Sequence, residues 1–248
     1  MGILEQARNE FARVLKEEDV DRSLRVIVRP LSPGDAVGAK ADGTLAIKKG
    51  KERVVEATFT GARGQAFTDA PSNWSGTLDD ILSLVLGDAR NRAVFVAAMN
   101  AVLRSFEVAS GTIHCKDEDP IRCGREMARR IEERFGPKRL GLIGLQPGIL
   151  SGLVERFGAE SVRVLDLNPD NIGSLKCGVR VWDGGTDLPR LVDWCEVGLA
   201  TGSSIVNGTI DEIKERFEAS GKPLVFFGNT ISGAAALLGL DRICPFGR

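Results

Sequence analysis

The sequence predicts an α/β protein in two parts, an α+β N-terminal portion and a C-terminal portion built on a parallel sheet. Three observations carry this. Beyond residue 139, short apolar runs alternate with stretches of helical spacing, the pattern of repeated β-α units. Before that point, an amphipathic helix leads into candidate strands separated by turn signals, which suits antiparallel pairing. At 248 residues the chain is long enough for one large or two modest domains. The boundary is expected between residues 108 and 109, giving units 1–108 and 109–248.

Taken in order, Ile3, Leu4, Ala7, Phe11, Val14 and Leu15 recur at helical spacing, with Glu and Arg between them. Leu24 to Val28 reads as a strand, broken by Pro30, Pro33 and Gly34. Ala36-Val-Gly-Ala39 and Leu45-Ala-Ile47 flank Asp42-Gly43, a hairpin signal. Val54 to Phe59 is a further strand candidate. Gly61 to Pro71 reads as a glycine-rich connection in which Gly61 and Gly64 admit close backbone approach, with Gln65, Thr68 and Asp69 offering polar contacts. Thr77-Leu-Asp-Asp80 opens a helix with a capping-box pattern.

Residues 89–106 are apolar on nearly every side, so this helix is expected to be buried. Arg92, Asn100 and Arg104 share one stripe on it; the arginines are expected to satisfy loop carbonyls and Asn100 to face a cleft. Gly124 to Phe135 is helical. The strands that follow are Arg139–Ile143, Val162–Asp166, Val197–Ala200, Leu224–Phe227 and Arg242–Cys244. The helices between them are Pro147–Phe157, Leu188–Trp194, Ile210–Phe217 and Ser232–Leu238.

A formal net charge of -1 gives no bulk electrostatic case for nucleic acid or an anionic membrane. No apolar run reaches membrane-spanning length, and Met1 to Arg8 lacks the pattern of a signal peptide. Five scattered Cys with no CxxC suit reduced thiols in the cytoplasm. His114 is the only histidine and Tyr is absent, which narrows the supply of acids, bases and nitrogen ligands. The expected partner is a small molecule or a metal, with self-association into a homo-oligomer left open.

Ligands of open parallel sheets bind outside the carboxyl ends of the strands. Four loops are therefore expected to converge: Gly144 to Gly148, Asp166 to Gly173, Thr201 to Thr209, and Gly228 to Gly233. Their Gly, Asn, Ser, Thr and Gln content suits a polar organic ligand or an anion. The candidate ligand-facing residues are Asn100, Gln146, Asp166, Asn171, Thr201, Gly202, Ser203, Asn207, Gly208, Thr209, Gly228 and Thr230. Asp166 stands where a ribose-binding acid would follow the first loop, or it caps its own turn. The first loop lacks the G-x-G-x-x-G fingerprint. His114 and Cys115 are candidate ligands for a soft or borderline metal, or structural residues.

Several stretches together resemble the putative heavy-metal chelation family. They are Gly64 to Asp69, Asn91 to Arg104, Thr112 to Asp117, Asp166 to Gly173, Thr201 to Thr209, and Ala234 to Pro245. The resemblance implies an enolase-N-terminal-like domain followed by a Rossmann-like domain, with a site in the cleft between them and a heavy metal ion or metal chelate as the bound species. The alternative is an enzyme, a transferase or lyase, acting on a small anionic or nucleotide-like metabolite. There Cys115 would be the nucleophile and the Thr201 loop an anion hole.

Overall fold

A computed structural model describes residues 1–38, 52–117 and 119–248. The first helix, α1 (Ile3–Glu17), buries the six apolar residues that its spacing singled out. Strand β1 (Arg25–Pro30) follows, then a short helix α2 (Pro33–Val37). Ser32 caps α2 by accepting from the Asp35 N–H, and Pro33 occupies its first turn, so residues 33–37 turn helically instead of opening a hairpin. The expected turn at Asp42-Gly43 lies outside the described residues.

Strands β2 (Arg53–Phe59), β3 (Ala62–Thr68) and β4 (Trp74–Thr77) join β1 in an antiparallel sheet of order β3-β2-β1-β4. The existence of β3 corrects the sequence expectation, which read Gly61 to Pro71 as a connection. Thr60 and Gly61 both have positive φ, 45° and 87°, so the chain reverses in two residues. The pairing then runs from Phe59↔Ala62 to Arg53↔Thr68. Gly64 is required inside the strand because helix α4 (Ala89–Ser105) crosses it: a Cβ there would lie 2.2 Å from the Ala101 nitrogen. Between β4 and α4, α3 (Leu78–Leu82) starts on the Thr77–Asp80 capping box.

The second part contains α5 (Asp119–Phe135), β5 (Leu140–Ile143), α6 (Pro147–Phe157), a 3-10 turn at Ala159–Ser161 and β6 (Val162–Asp166). Strands β7 (Leu175–Lys176) and β8 (Val179–Asp183) follow, then α7 (Leu188–Trp194) and β9 (Val197–Thr201). The chain ends with α8 (Ser204–Asn207), α9 (Ile210–Ala219), β10 (Leu224–Phe227), α10 (Ser232–Leu238) and β11 (Arg242–Ile243). These strands form a seven-stranded sheet, β11-β10-β9-β5-β6-β8-β7, parallel except where β7 runs against β8. The β7–β8 hairpin turns at Cys177-Gly178, both with positive φ, and the sequence expectation had no strand there.

One face of the parallel sheet packs against α5 and α6 around Met127, Ile131, Leu142, Leu150 and Leu153. Glycines let these helices touch: a Cβ on Gly124 would sit 1.8 Å from the Gly148 carbonyl oxygen. The opposite face belongs to a larger core that takes in α1, the antiparallel sheet and all of α4 from Ala93 to Leu103. Residues of that size, fully buried, contribute about 1.5–3 kcal/mol each. The same core includes Leu191, Ala200, Phe217 and Ala234, so it runs across the expected 108/109 boundary. That boundary parts the two sheets but not the apolar interior.

Candidate functional site

The chain order reverses direction between β5 and β9, which are neighbours in the sheet. Crevices at such switch points are where open α/β sheets take ligands. The four loops meet there in series. Gly144 (φ 90°) packs on Thr201, where a Cβ would come within 2.5 Å of the threonine methyl. The Leu145 N–H donates to Asp166 Oδ2 at 2.8 Å. The Gly202 N–H donates to the Phe227 carbonyl at 2.7 Å, and Gly202 abuts Ile231.

The antiparallel sheet closes over this end. The Phe67 N–H donates to Thr230 Oγ1 at 3.1 Å, so β3 touches the fourth loop directly. One step beyond the Arg53↔Thr68 pair come Glu52 and Asp69. Burial pushes the Glu52 carboxyl up to about 7, helped by the charges of Asp166 and Asp69. Carboxylates from both sheets thus crowd one end of the seam. The sequence reading missed Glu52, which sits in a run of charges that looks solvated. The usable signal was the β2–β3 register, which was lost with β3.

His114 approaches the seam from the segment between α4 and α5. Its ring meets Phe67 edge-on at 5.2 Å, and its backbone N–H donates to Gln65 Oε1 at 2.8 Å. Burial pushes the imidazole down to about 4, so it is neutral at physiological pH. The residue keeps some surface, yet its Nδ1 is shut off from solvent and has no hydrogen-bond partner. A neutral imidazole with an unused nitrogen is a competent metal ligand or hydrogen-bonding group.

The other expected residues divide into three groups. Asp166, Asn171, Gln146 and Thr201 lie in the converging loops but already bond within them. Asp166 Oδ1 accepts from the Asn168 N–H (2.9 Å) and Asn171 Nδ2 (3.0 Å). Gln146 Oε1 caps α6 through the Ile149 N–H. Thr201 Oγ1 accepts from the Ser203 N–H at 3.3 Å. Gly202, Ser203 and Gly228 lie in the loops, as does Thr230 with its hydroxyl bonded to the Phe67 N–H, and Gly228, with φ 94°, has open space where a Cβ would be. Asn100 is fully buried. Its Nδ2 donates to the carbonyls of Gln65, Asn229 and Thr230, and its Oδ1 accepts from the Gly233 N–H at 2.7 Å. It ties the antiparallel sheet to the loop after β10 from a fully buried position.

Asn207, Gly208 and Thr209 are at the outer end of α8. There the first two are exposed beside Arg92, whose Nε donates to the Val206 carbonyl. Arg92 lies eight residues before Asn100, about 12 Å along α4. Cys115 is buried and the charges acting on its thiol come from Asp119 and Arg248, whereas the His114 ring lies against Phe67. Among the described residues, no three His, Cys, Asp or Glu side chains are grouped so as to hold a metal ion. Also among them, no helix is long and apolar enough to cross a membrane.

The architecture is that of a mixed α/β protein with an antiparallel sheet and a mostly parallel seven-stranded sheet. Residues 129–241 match the family model described as putative heavy-metal chelation, which bears out the resemblance read from the motifs. A DUF364-family protein of unknown function from Pyrococcus horikoshii shares this fold. It is 18% identical, over 92% of this chain and 79% of that one, with a TM-score of 0.53. A DUF364-family protein from Desulfitobacterium hafniense, also of unknown function, is 15% identical over 75% of this chain and 72% of that one, with a TM-score of 0.46. No curated protein matches the chain.

Proposed function

We propose that this is a cytoplasmic protein that binds a heavy metal, held as a metal–organic chelate, in the polar cleft between parts 1–108 and 109–248. The observation that carries the reading is the buried Glu52 carboxyl, on which the charges of Asp166 and Asp69 act beside the switch point, so that negative charge there favours a positive ligand. The glycine- and amide-bearing loops would hold the organic part by hydrogen bonds, and a chelate brings most of its own donors. The His114 imidazole, neutral and with Nδ1 unpartnered, would supply a nitrogen at the edge of the cleft. The family description, putative heavy-metal chelation, agrees with this class of ligand.

A second reading rests on Glu52 alone. A carboxyl group poised at about 7 suits general acid–base work on a small metabolite. The neighbouring acids favour a cationic or metal-bound substrate over an anionic one.

Native mass spectrometry and metal analysis of untagged, gently purified protein test the proposal. A metal-containing small molecule is expected with the wild type, and its occupancy should fall at least about tenfold in Asp69→Asn and in His114→Ala. Equal occupancy in both variants, or a metal-free organic ligand, would overturn it.

A further inference from the structure

The parallel sheet is covered on one face and left partly open on the other. Residues 167–178, between β6 and β8, hold the short β7 and turns where a crossover helix would ordinarily lie. Val162, Val164, Val179 and Val181 point into the core formed with α5 and α6. Alternation sends Arg163, Arg180 and Trp182 to the opposite face, where α7 packs over β5 and β6 while Arg180 is exposed and Trp182 half-buried. A depression of about 530 Å³ opens there, lined by Arg163, Trp182, Arg190, Asp193 and Trp194. A second, of about 360 Å³, shares Arg163 and Trp182 and continues past Arg180 to Leu175, which is 66% exposed. The two make one groove from α7 to the β7–β8 hairpin.

The groove carries arginines that the fold holds in place without neutralising. The Arg190 guanidinium lies 4.1 Å from the Trp182 ring centroid, and that of Arg163 4.5 Å from Trp194. Arg163 Nη1 donates to the Val162 carbonyl at 2.8 Å, and Arg180 Nη1 to the Gly173 carbonyl at 2.9 Å. Among the described residues, none of these three arginines forms an ion pair. One step before the Val164↔Val181 pair, Arg163 and Arg180 stand side by side, a like-charge juxtaposition that costs stability unless an anion joins it. Asp193 and Glu160 also line the groove, so three positive groups stand against two negative ones. Trp and Arg are the side chains that dominate protein–protein interfaces. A single phosphate would call for converging guanidinium groups. These are spread over α7, β6 and β8, which suits several carboxylates along a segment of chain.

The chain itself carries such a segment. Helix α1 ends in Glu17, and Glu18, Asp19, Val20 and Asp21 follow, with all four acids exposed. Carboxylates at a helix C-terminus meet the negative end of its dipole and cost stability there. Glu17 pairs with Arg13 and Asp21 bonds to Ser23, which leaves Glu18 and Asp19 without a cation among the described residues. We propose that the acidic turn at residues 17–21 of one copy docks in the arginine–tryptophan groove of a second copy, so that the protein self-associates through this contact. The contact is small and charged, and it is therefore weak and sensitive to salt. It does not depend on the cleft reading, because Glu52, Asp69 and His114 take no part in it.

Sedimentation velocity on the full chain tests this. For the wild type, the weight-average sedimentation coefficient is expected to rise with protein concentration, and the rise to shrink in high salt. Arg180→Glu with Arg190→Glu, at exposed groove positions, reverses one side. Glu17→Arg with Glu18→Arg reverses the other and spares Asp19, whose φ of 48° suits Asp. Each variant alone should associate at least about tenfold more weakly than the wild type. An equimolar mixture of the two should recover association, because each then offers the surface that the other lacks. A wild type that stays monomeric at every concentration, association undiminished in either variant, or no recovery in the mixture would each overturn the proposal. A monomeric wild type whose tryptophan fluorescence responds to a polyglutamate peptide or to ATP would overturn it too, and would give the groove to another acidic protein or to a small anion. Loss of the cleft ligand leaves all of these readings unchanged.

Discussion

Removing the charge of Glu52 should stabilise the protein in one pH range only. In the folded state burial and the charges of Asp166 and Asp69 hold this carboxyl at about 7, against an ordinary 4.5. The folded chain therefore keeps the Glu52 proton more tightly than the unfolded chain does. Stability falls as pH rises from 4.5 through about 7, by 1.36 kcal/mol for each pH unit across that gap, or about 3 kcal/mol in all. Glu52 retains partial exposure, so a loss of about 2–3 kcal/mol is the realistic range. Glu52→Gln keeps the shape and deletes the charge. Urea unfolding with EDTA present should show the variant more stable by about 2–3 kcal/mol at pH 8 and equal to the wild type at pH 4. His114 works in the other direction. Held at about 4 by burial, it withdraws stability as pH falls from 6.5 through about 4. In the wild type the two slopes oppose each other, and in Glu52→Gln the histidine slope should stand out. A gain of equal size at both pH values, or a loss at pH 8, would refute the crowding of carboxylates at the seam.

Two further substitutions probe how the parts are joined. Asn100→Ala strands the Gly233 N–H and the Thr230 carbonyl in the interior, so urea unfolding should report a loss of about 3 kcal/mol or more. Gly124→Ala sets a methyl 1.8 Å from the Gly148 oxygen and must part α5 from α6, which should lower stability by about 3 kcal/mol. Gly34→Ala, whose nearest atom is 3.9 Å away, is the control and should change stability by less than about 1 kcal/mol.

Much of the fold could be read from local chemistry. The spacing in α1 and α4, the capping box at Thr77, and the alternation of apolar runs with helices after residue 139 all act over a few residues. The loops at the strand ends were readable for the same reason. Composition marks them, and a general rule about parallel sheets places them on one edge.

What the sequence by itself determined is most of the helices, the parallel strands other than β8, and which bends carry the polar groups. The tertiary structure decided whose neighbour each group becomes. Gly64 looked like part of a loop because the helix that demands it is more than thirty residues away in the chain. Asn100 looked free for a ligand until β3 and the Gly228 loop surrounded it. Glu52 acquires its character only through burial in the fold, with the charges of Asp166 and Asp69 added, and the His114 ring finds Phe67 only when β3 is placed beside it. Side-chain periodicity is encoded within a segment, whereas proton affinity, hydrogen-bond satisfaction and steric room depend on atoms brought in from other segments by packing.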